Sequence, residues 1–176
     1  MITTQDGELA KKMRLLLDHG SPQRYTHTLL GLNYRLNDIA GAIGTEQLKR
    51  FDGMLAARRE NARIMAEGLA AVPGIRVQQS TPGTNHAWHQ FSIVVEEAFG
   101  TSRDALADGL RALGIGTGIH YPSGLHQQPV FTERYGSQTL PVTEATAARI
   151  LALPVHHGMT PAEAGRVVEA IAGLRG

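Results

Sequence analysis

A chain of 176 residues has room for one domain, or one and a small appendage, and folding at this size buries about 70% of the unfolded surface without disulfide or metal staples. The net charge of +1, with His neutral, gives no reason to expect nucleic acid or an acidic membrane as partner. The absence of cysteine excludes disulfides, thiolate metal sites and cysteine nucleophiles.

No apolar run approaches 18 residues and the first residues lack a signal-peptide pattern, so the expected setting is the cytoplasm. Ile2-Thr3-Thr4 is β-branched and reads as the tail of a strand whose beginning lies elsewhere. The chain is therefore expected to open in the middle of a larger fold. From Asp6 to His19 the spacing is helical: Leu9, Met13 and Leu16 or Leu17 share a face, with Glu8, Lys11, Lys12 and Arg14 largely elsewhere. Gly20-Ser21-Pro22 stops that helix. Residues 21–35 read as a loop containing Arg24, Tyr25 and His27.

Gly31 to Leu48 is the stretch around which the rest is organised. A polar loop with Asn33, Tyr34 and Arg35 runs into a helical pattern crowded at its start with Ala40, Gly41, Ala42 and Gly44. A helix N-terminus offers N–H donors and a positive dipole end, a common way to hold an anion. Small residues there let another backbone or a ligand come close. The plainer reading is a capped helix with Asn37 or Asp38 as the cap.

Ile39, Ile43, Leu48, Phe51, Leu55, Ala62, Met65 and Leu69 predict a helix from near Asn37 to Ala71, ended by Pro73-Gly74. Such a length suits a bridge between domains, or a helix bent near Gly53. Arg58 to Arg63 is expected to be a solvated face.

Beyond Gly74 the texture changes to short strands. Ile75 to Gln79 alternates, and Trp88 to Glu96 is the clearest strand, with Phe91, Ile93 and Val95 on one face and Ser92 and Val94 on the other. A helix capped by Thr101 or Ser102 carries Leu106, Leu110 and Leu113 in step. Ile115 to Tyr121 alternates as a further strand, with Gly116, Gly118 and His120 on one side, where glycines admit a close neighbour. Pro122 to Gln138 is irregular, Thr143 to Leu151 helical, and Leu153-Pro154-Val155 extended. Thr160-Pro161-Ala162-Glu163 opens the last helix as a capping box with Pro at its first position. Residues 74–176 thus read β-β-α-β-α-(β)-α, a small sheet with helices on one face.

The candidate chemistry is sparse. His86 and His89 point to opposite faces if both lie in a strand, and His156-His157 are adjacent, so no spacing recommends a metal site. His120 and Tyr121, with His126 beyond Pro122, read as a substrate-facing rim or as surface histidines held by hydrogen bonds. Gly31-x-Asn33 is not a dinucleotide fingerprint. Lys11, Lys12 and Lys49 sit among polar residues, unlike the desolvated lysine that forms a Schiff base.

The run Gly31-Leu32-Asn33-Tyr34-Arg35-Leu36-Asn37-Asp38 through Gly44-Thr45-Glu46-Gln47-Leu48 resembles the G-x-N-x-R-M-x-D-x-x-A-A-x-G-x-x-Q-L signature of the DegT/DnrJ/EryC1/StrS aminotransferases. Ile2 to Asp6 resembles that family's strand-to-helix step, and His86-Ala87-Trp88-His89-Gln90-Phe91 its first small-domain strand. Ile119-His120-Tyr121-Pro122 with Leu125-His126 and Pro129 is similar to its H-Y-x-x-P-L-H-x-x-P run, and Leu151 to Val155 to its L-S-L-P-M ending. Gly124 stands where the family usually has Pro.

The resemblance implies the C-terminal part of a fold-type I pyridoxal-phosphate transferase that aminates keto-sugars carried on nucleotides. Residues 1–35 would be a remnant of the large cofactor-binding domain with an interface loop, 36–73 a long linking helix, and 74–176 a small α/β domain of α+β type. It implies that Asn33 reaches the cofactor phosphate of a neighbouring subunit and that His120 and Tyr121 lie near the substrate entrance. Arg35 pairs with a phosphate or carboxylate of the substrate, or makes a structural ion pair. The family's Schiff-base lysine precedes the Ile-Thr-Thr step, so no catalytic residue and no metal ligand is assigned here, and the chain alone is expected to be inactive. The expected partner is a second copy or the missing N-terminal half. The alternative is a non-catalytic scaffold module paired with a full-length aminotransferase.

Overall fold

Phe91, Ile93 and Val95 alternate inward along the middle strand of a three-stranded antiparallel sheet, and the main hydrophobic core forms on their side. The computed structural model describes residues 2–176, and the chain divides into two compact units, Met1–Arg50 and Phe51–Gly176. The helices are α1 (Gly7–Leu17), α2 (Asp38–Leu69), α3 (Arg103–Ala112), α4 (Pro129–Tyr135), α5 (Pro141–Arg149) and α6 (Pro161–Gly173). The strands are β1 (Ile75–Val77), β2 (Phe91–Val95) and β3 (Ile150–Leu153), in the order β1-β2-β3.

In the first unit, the Asp6 side chain accepts N–H bonds from Glu8 and Leu9 and so caps α1. The loop after α1 is tied back to that helix by its own backbone. Leu32 N–H donates to Leu16 O at 2.7 Å, His19 N–H to Leu32 O at 2.9 Å and Tyr34 N–H to Leu17 O at 2.9 Å. Two glycines permit this contact. A Cβ on Gly31 would lie 2.0 Å from Gly20 N, and Gly20 has φ +68° with its Cβ position 1.8 Å from Leu29 O. Asn37, not Asp38, caps α2: its Oδ1 accepts the Ala40 N–H at 2.8 Å.

In the second unit, β1 pairs with β2 through Ile75↔Val95 and Val77↔Ile93, and β2 with β3 through Phe91↔Leu153 and Ile93↔Leu151. The same face meets Met65 and Leu69 of α2, Leu106 and Leu110 of α3, and Val167 and Ile171 of α6, all buried. Each fully buried aliphatic or aromatic side chain contributes about 1.5–3 kcal/mol of apolar transfer energy. Ser102 caps α3 by accepting the Ala105 N–H, and Thr160 with Glu163 forms the expected capping box on α6.

Several expectations are corrected. Residues 115–121 form no strand: a single bridge joins Gly118 to Ala152, through N–H···O bonds of 3.0 and 2.7 Å. Gly116 and Gly118 bring no side chains with which to pack a longer ladder. The irregular stretch after Pro122 holds a short 3₁₀ turn at Leu125–Gln127 and then α4, which starts on Pro129. The extended piece at the end is β3, Ile150–Leu153, and it stops before Pro154, which has no N–H to give. Trp88 has φ +48°, outside strand geometry, so β2 begins at Phe91.

The Arg58–Arg63 stretch is not wholly solvated. Asn61 and Ala62 are buried, and Asn61 donates its amide N–H groups to His156 O and Met159 O. Of the six residues only Glu60 and Arg63 are exposed as expected, and they pair with one another. Among the described residues no helix is long and apolar enough to cross a membrane.

Candidate functional site

The Asn33 loop belongs to the first unit. Its backbone bridges to Asp18 across the contact that Gly20 and Gly31 permit. Arg35 lies with Nη1 3.2 Å from Asp18 Oδ1, and its Nε–H donates to Asn33 Oδ1 at 3.3 Å. Arg35 therefore makes the structural ion pair, and it also orients the asparagine. With its oxygen engaged, the exposed Asn33 side chain presents its NH2 as the outward group, and no acceptor among the described residues takes it. An amide N–H so placed suits a phosphate oxygen.

His120 and Tyr121 belong to the second unit. They are joined by a cis peptide, and their rings meet edge to face at 5.9 Å. Both are exposed and both line a hollow of about 370 Å³ with Leu125, Val142 and Thr146. The neighbour that Gly118 admits is the His120 ring itself: a Cβ at Gly118 would be 2.7 Å from His120 Nε2. His126 does not join them as an open rim. Its ring, almost enclosed, pairs with Glu144 at 3.0 Å. The Leu140 N–H, and after it His126, holds the Glu144 carboxyl below the usual carboxylate range.

Sequence patterning missed the pair of arginines that hold the 86–89 segment in place. Arg58 Nη1 donates to Trp88 O at 3.0 Å and His89 O at 3.3 Å, and also to Val155 O. Arg59 Nε donates to His86 O at 3.1 Å. Nothing in a charged run Arg-Arg-Glu marks which members will find backbone carbonyls distant in sequence. Trp88 N–H in turn donates to His86 Nδ1 at 2.9 Å, with the two rings 4.4 Å apart. His86 and His89 lie in this loop rather than in a strand, and among the described residues no three side chains gather to hold a metal.

Only the phosphate end of pyridoxal phosphate finds a matching group here. Asn33 offers a neutral donor, whereas Lys11 and Lys49 are exposed and paired with Glu8 and Glu46, and Lys12 is exposed. A solvated, ion-paired ammonium is a poor Schiff-base former.

A long helix leading into a small antiparallel sheet, preceded by a glycine-pinned loop, is the architecture of the C-terminal part of a fold-type I transferase. The sequence model of the DegT/DnrJ/EryC1/StrS aminotransferase family matches residues 1–172, and this chain belongs to that family. The structure is similar to that of DesV of S. venezuelae, solved in complex with a ketimine intermediate, at 33% identity and a TM-score of 0.88, over 97% of this chain and 45% of DesV. A DegT DnrJ EryC1 StrS aminotransferase from Brucella abortus matches at 33% identity and a TM-score of 0.85, over 98% and 45% of the two chains. DesI, solved in the presence of its TDP-sugar product, matches at 27% identity and a TM-score of 0.78, over 97% and 43%. The chain thus spans less than half the length of these structures.

Proposed function

We propose that this chain is the C-terminal part of an aminotransferase that uses pyridoxal 5'-phosphate to aminate keto-sugars carried on nucleotides. In this reading Asn33 gives its amide N–H to the cofactor phosphate held by a partner subunit. The observation that carries it is the Asn33 side chain, its oxygen held by Arg35 and its NH2 left outward, within a family match that runs almost the length of the chain. The TDP-sugar product of DesI supports a nucleotide-sugar substrate.

Bound pyridoxal phosphate supplies an electron sink for the carbon that carries the transferred nitrogen. This chain's residues bind and orient around it. Asn33 would hold the phosphate, Arg35, paired with Asp18, keeps the asparagine in place, and His120 with Tyr121 lines the substrate entrance. None of the three solvated lysines takes the Schiff-base role, so the chain alone transfers no amino group. Its partner is a second copy or the N-terminal half of such an enzyme.

A split-enzyme assay tests this. The purified chain is mixed with the N-terminal half of a family member, pyridoxal phosphate, a TDP-keto-sugar and an amino donor. Neither half should transfer nitrogen alone, and the mixture should. Asn33→Ala should weaken cofactor retention by the mixture about tenfold, as expected for one charge-assisted hydrogen bond. Turnover by the isolated chain, or unchanged retention in the variant, overturns the proposal.

A further inference from the structure

β1 is an edge strand, and its outer side is unpaired among the described residues. Gln78 N–H donates to Ser92 O at 3.1 Å and Glu96 N–H to Gly74 O at 2.8 Å. Residues 74, 76 and 78 therefore face β2, and Ile75 and Val77 turn their backbone groups outward. The Ile75 N–H is taken by Val72 O, which leaves the Val77 N–H and the Ile75 C=O without partners among the described residues. The Val77 C=O meets only the Gln79 side-chain amide, at 3.5 Å. Beside this edge Ala66 and Ala70 of α2, one turn apart, leave an open groove.

Two side-chain donors converge at the end of the same edge. The Ser92 N–H donates to Gln78 Oε1 at 3.1 Å, so the amide NH2 of Gln78 points the other way. The Trp88 N–H donates to His86 Nδ1 at 2.9 Å, so the ring carries its proton on Nε2. Gln78 Nε2 and His86 Nε2 lie 3.4 Å apart, and both are half-buried donors with no acceptor between them. Flipping the amide would only move the conflict to Ser92, and changing the tautomer would move it to Trp88. An oxygen placed at this point satisfies both N–H groups at once. Arg59 Nε holds the His86 carbonyl at 3.1 Å, so the pair is ordered before anything binds. No carboxylate lines the groove, and Arg76, its one guanidinium, pairs with Glu96, so an anionic oxygen meets no like charge there.

We propose that β1 is a docking edge for an extended acidic peptide of a partner protein. The peptide adds as a further strand antiparallel to β1, exchanging main-chain hydrogen bonds with Val77 and giving an N–H to Ile75 O. An aspartate beside Gln78 places its carboxylate between Gln78 Nε2 and His86 Nε2. The residues facing Val77 and Ile75 point to the α2 side, where Ala66 and Ala70 leave room for small apolar side chains. None of these groups lines the hollow of His120 and Tyr121, and the edge needs neither cofactor nor substrate.

The isotope-labelled chain is titrated with Ac-Thr-Asp-Val-Thr-Val-Thr-NH2, reading NMR shifts and the fluorescence of Trp88, whose ring lies 4.4 Å from that of His86. Saturable shifts are expected at the Val77 amide, the Gln78 side-chain NH2 and the His86 Nε2–H, with slower exchange of the Val77 N–H. Alanine in place of the peptide's aspartate should weaken binding about tenfold, the loss of one hydrogen bond to a charged group. Gln78→Glu keeps an oxygen for the Ser92 N–H, gives the His86 Nε2–H an acceptor and repels the aspartate. That variant should unfold at higher denaturant than the parent and bind the aspartate peptide no better than the alanine one. Val77→Pro removes an N–H that the ladder does not use, so it should keep the fold and lose the peptide. A peptide with proline in place of its first valine tests the same pairing on the unaltered chain and should also lose binding. The inference is overturned by no saturable shift, by equal affinity for the alanine and proline peptides, or by a Gln78→Glu chain less stable than the parent. It is equally overturned if the peptide moves Gln78 and His86 only as sodium acetate does, with the Val77 amide unmoved.

Discussion

Glycine followed two residues later by histidine recurs in the small domain, and in both cases the imidazole folds back over the glycine. At Gly118 the ring is that of His120, and at Gly124 a Cβ would lie 2.4 Å from His126 Cε1. The sequence shows that such glycines admit a close neighbour but not which one, because the neighbour is chosen by how the following turn bends. Gly124 is instructive since its φ of −67° and ψ of 152° suit proline, the residue usual in the family there. Proline is nonetheless excluded in this chain. Its ring would collide with His126, which Glu144 pins, and it would remove the N–H that Gly124 donates to Gln127 Oε1 at 3.0 Å. Gly124→Pro should therefore cost about 1–3 kcal/mol by denaturant unfolding. An unchanged midpoint would show that the His126 ring moves freely. Asn33 differs: the family pattern marked it, but its orientation by Arg35 and the Gly20–Gly31 contact belongs to tertiary structure.

At the scale of elements, helix starts were legible and strands less so. The cap at Thr160 is where the pattern put it, the open choices resolve to Asn37 and Ser102, and Asp6, where the helical spacing begins, is the cap of α1. A cap is a local device of three or four residues, and local chemistry is what a sequence shows directly. Thr160→Ala should accordingly lower stability by about 1 kcal/mol in thermal or denaturant unfolding, with Thr160→Ser close to the parent. The Ile115–Tyr121 pattern failed because alternation says which face a residue would take, not whether a neighbouring strand accepts it. Arg58 failed because its three carbonyl partners are distant in sequence.

The junction of the 3₁₀ turn with α5 is an element-level contact that titrates. Glu144 joins Leu140 N–H and His126, and its folded carboxyl ionises below the usual range. Its contribution is complete above the unfolded carboxylate pKa of about 4.3 and is lost as pH falls through the lower folded value. Glu144→Gln should thus lower the melting temperature at about pH 7, with the gap closing towards about pH 3. A gap that is the same at both pH values would mean that the amide loses shape complementarity rather than charge.

Burial over the whole chain is uneven. Among the described residues every buried large apolar side chain lies within Phe51–Gly176, and the buried residues of α2 begin only at Asn61. Earlier on the same helix Ile39 is 76% exposed and Leu48 60%. These two are nine residues apart, which is two and a half turns, so they face opposite sides. A helix segment that is apolar on both sides is stable in water only when covered on both. Leu30, Leu36 and Tyr34 in the preceding loop are exposed as well. Hydrogen exchange reads this directly. Amides of Met65, Leu69, Phe91–Val95 and Leu110 should open only with the whole unit, whereas those of α1 and of residues 40–50 should exchange through local opening, orders of magnitude faster. Adding the N-terminal half of a family member should slow residues 30–50 and leave the Phe91–Val95 amides as they were. Uniform protection along α2 in the isolated chain would show that the exposed apolar faces carry no instability. Unchanged exchange at 30–50 after mixing would show that the partner covers some other surface.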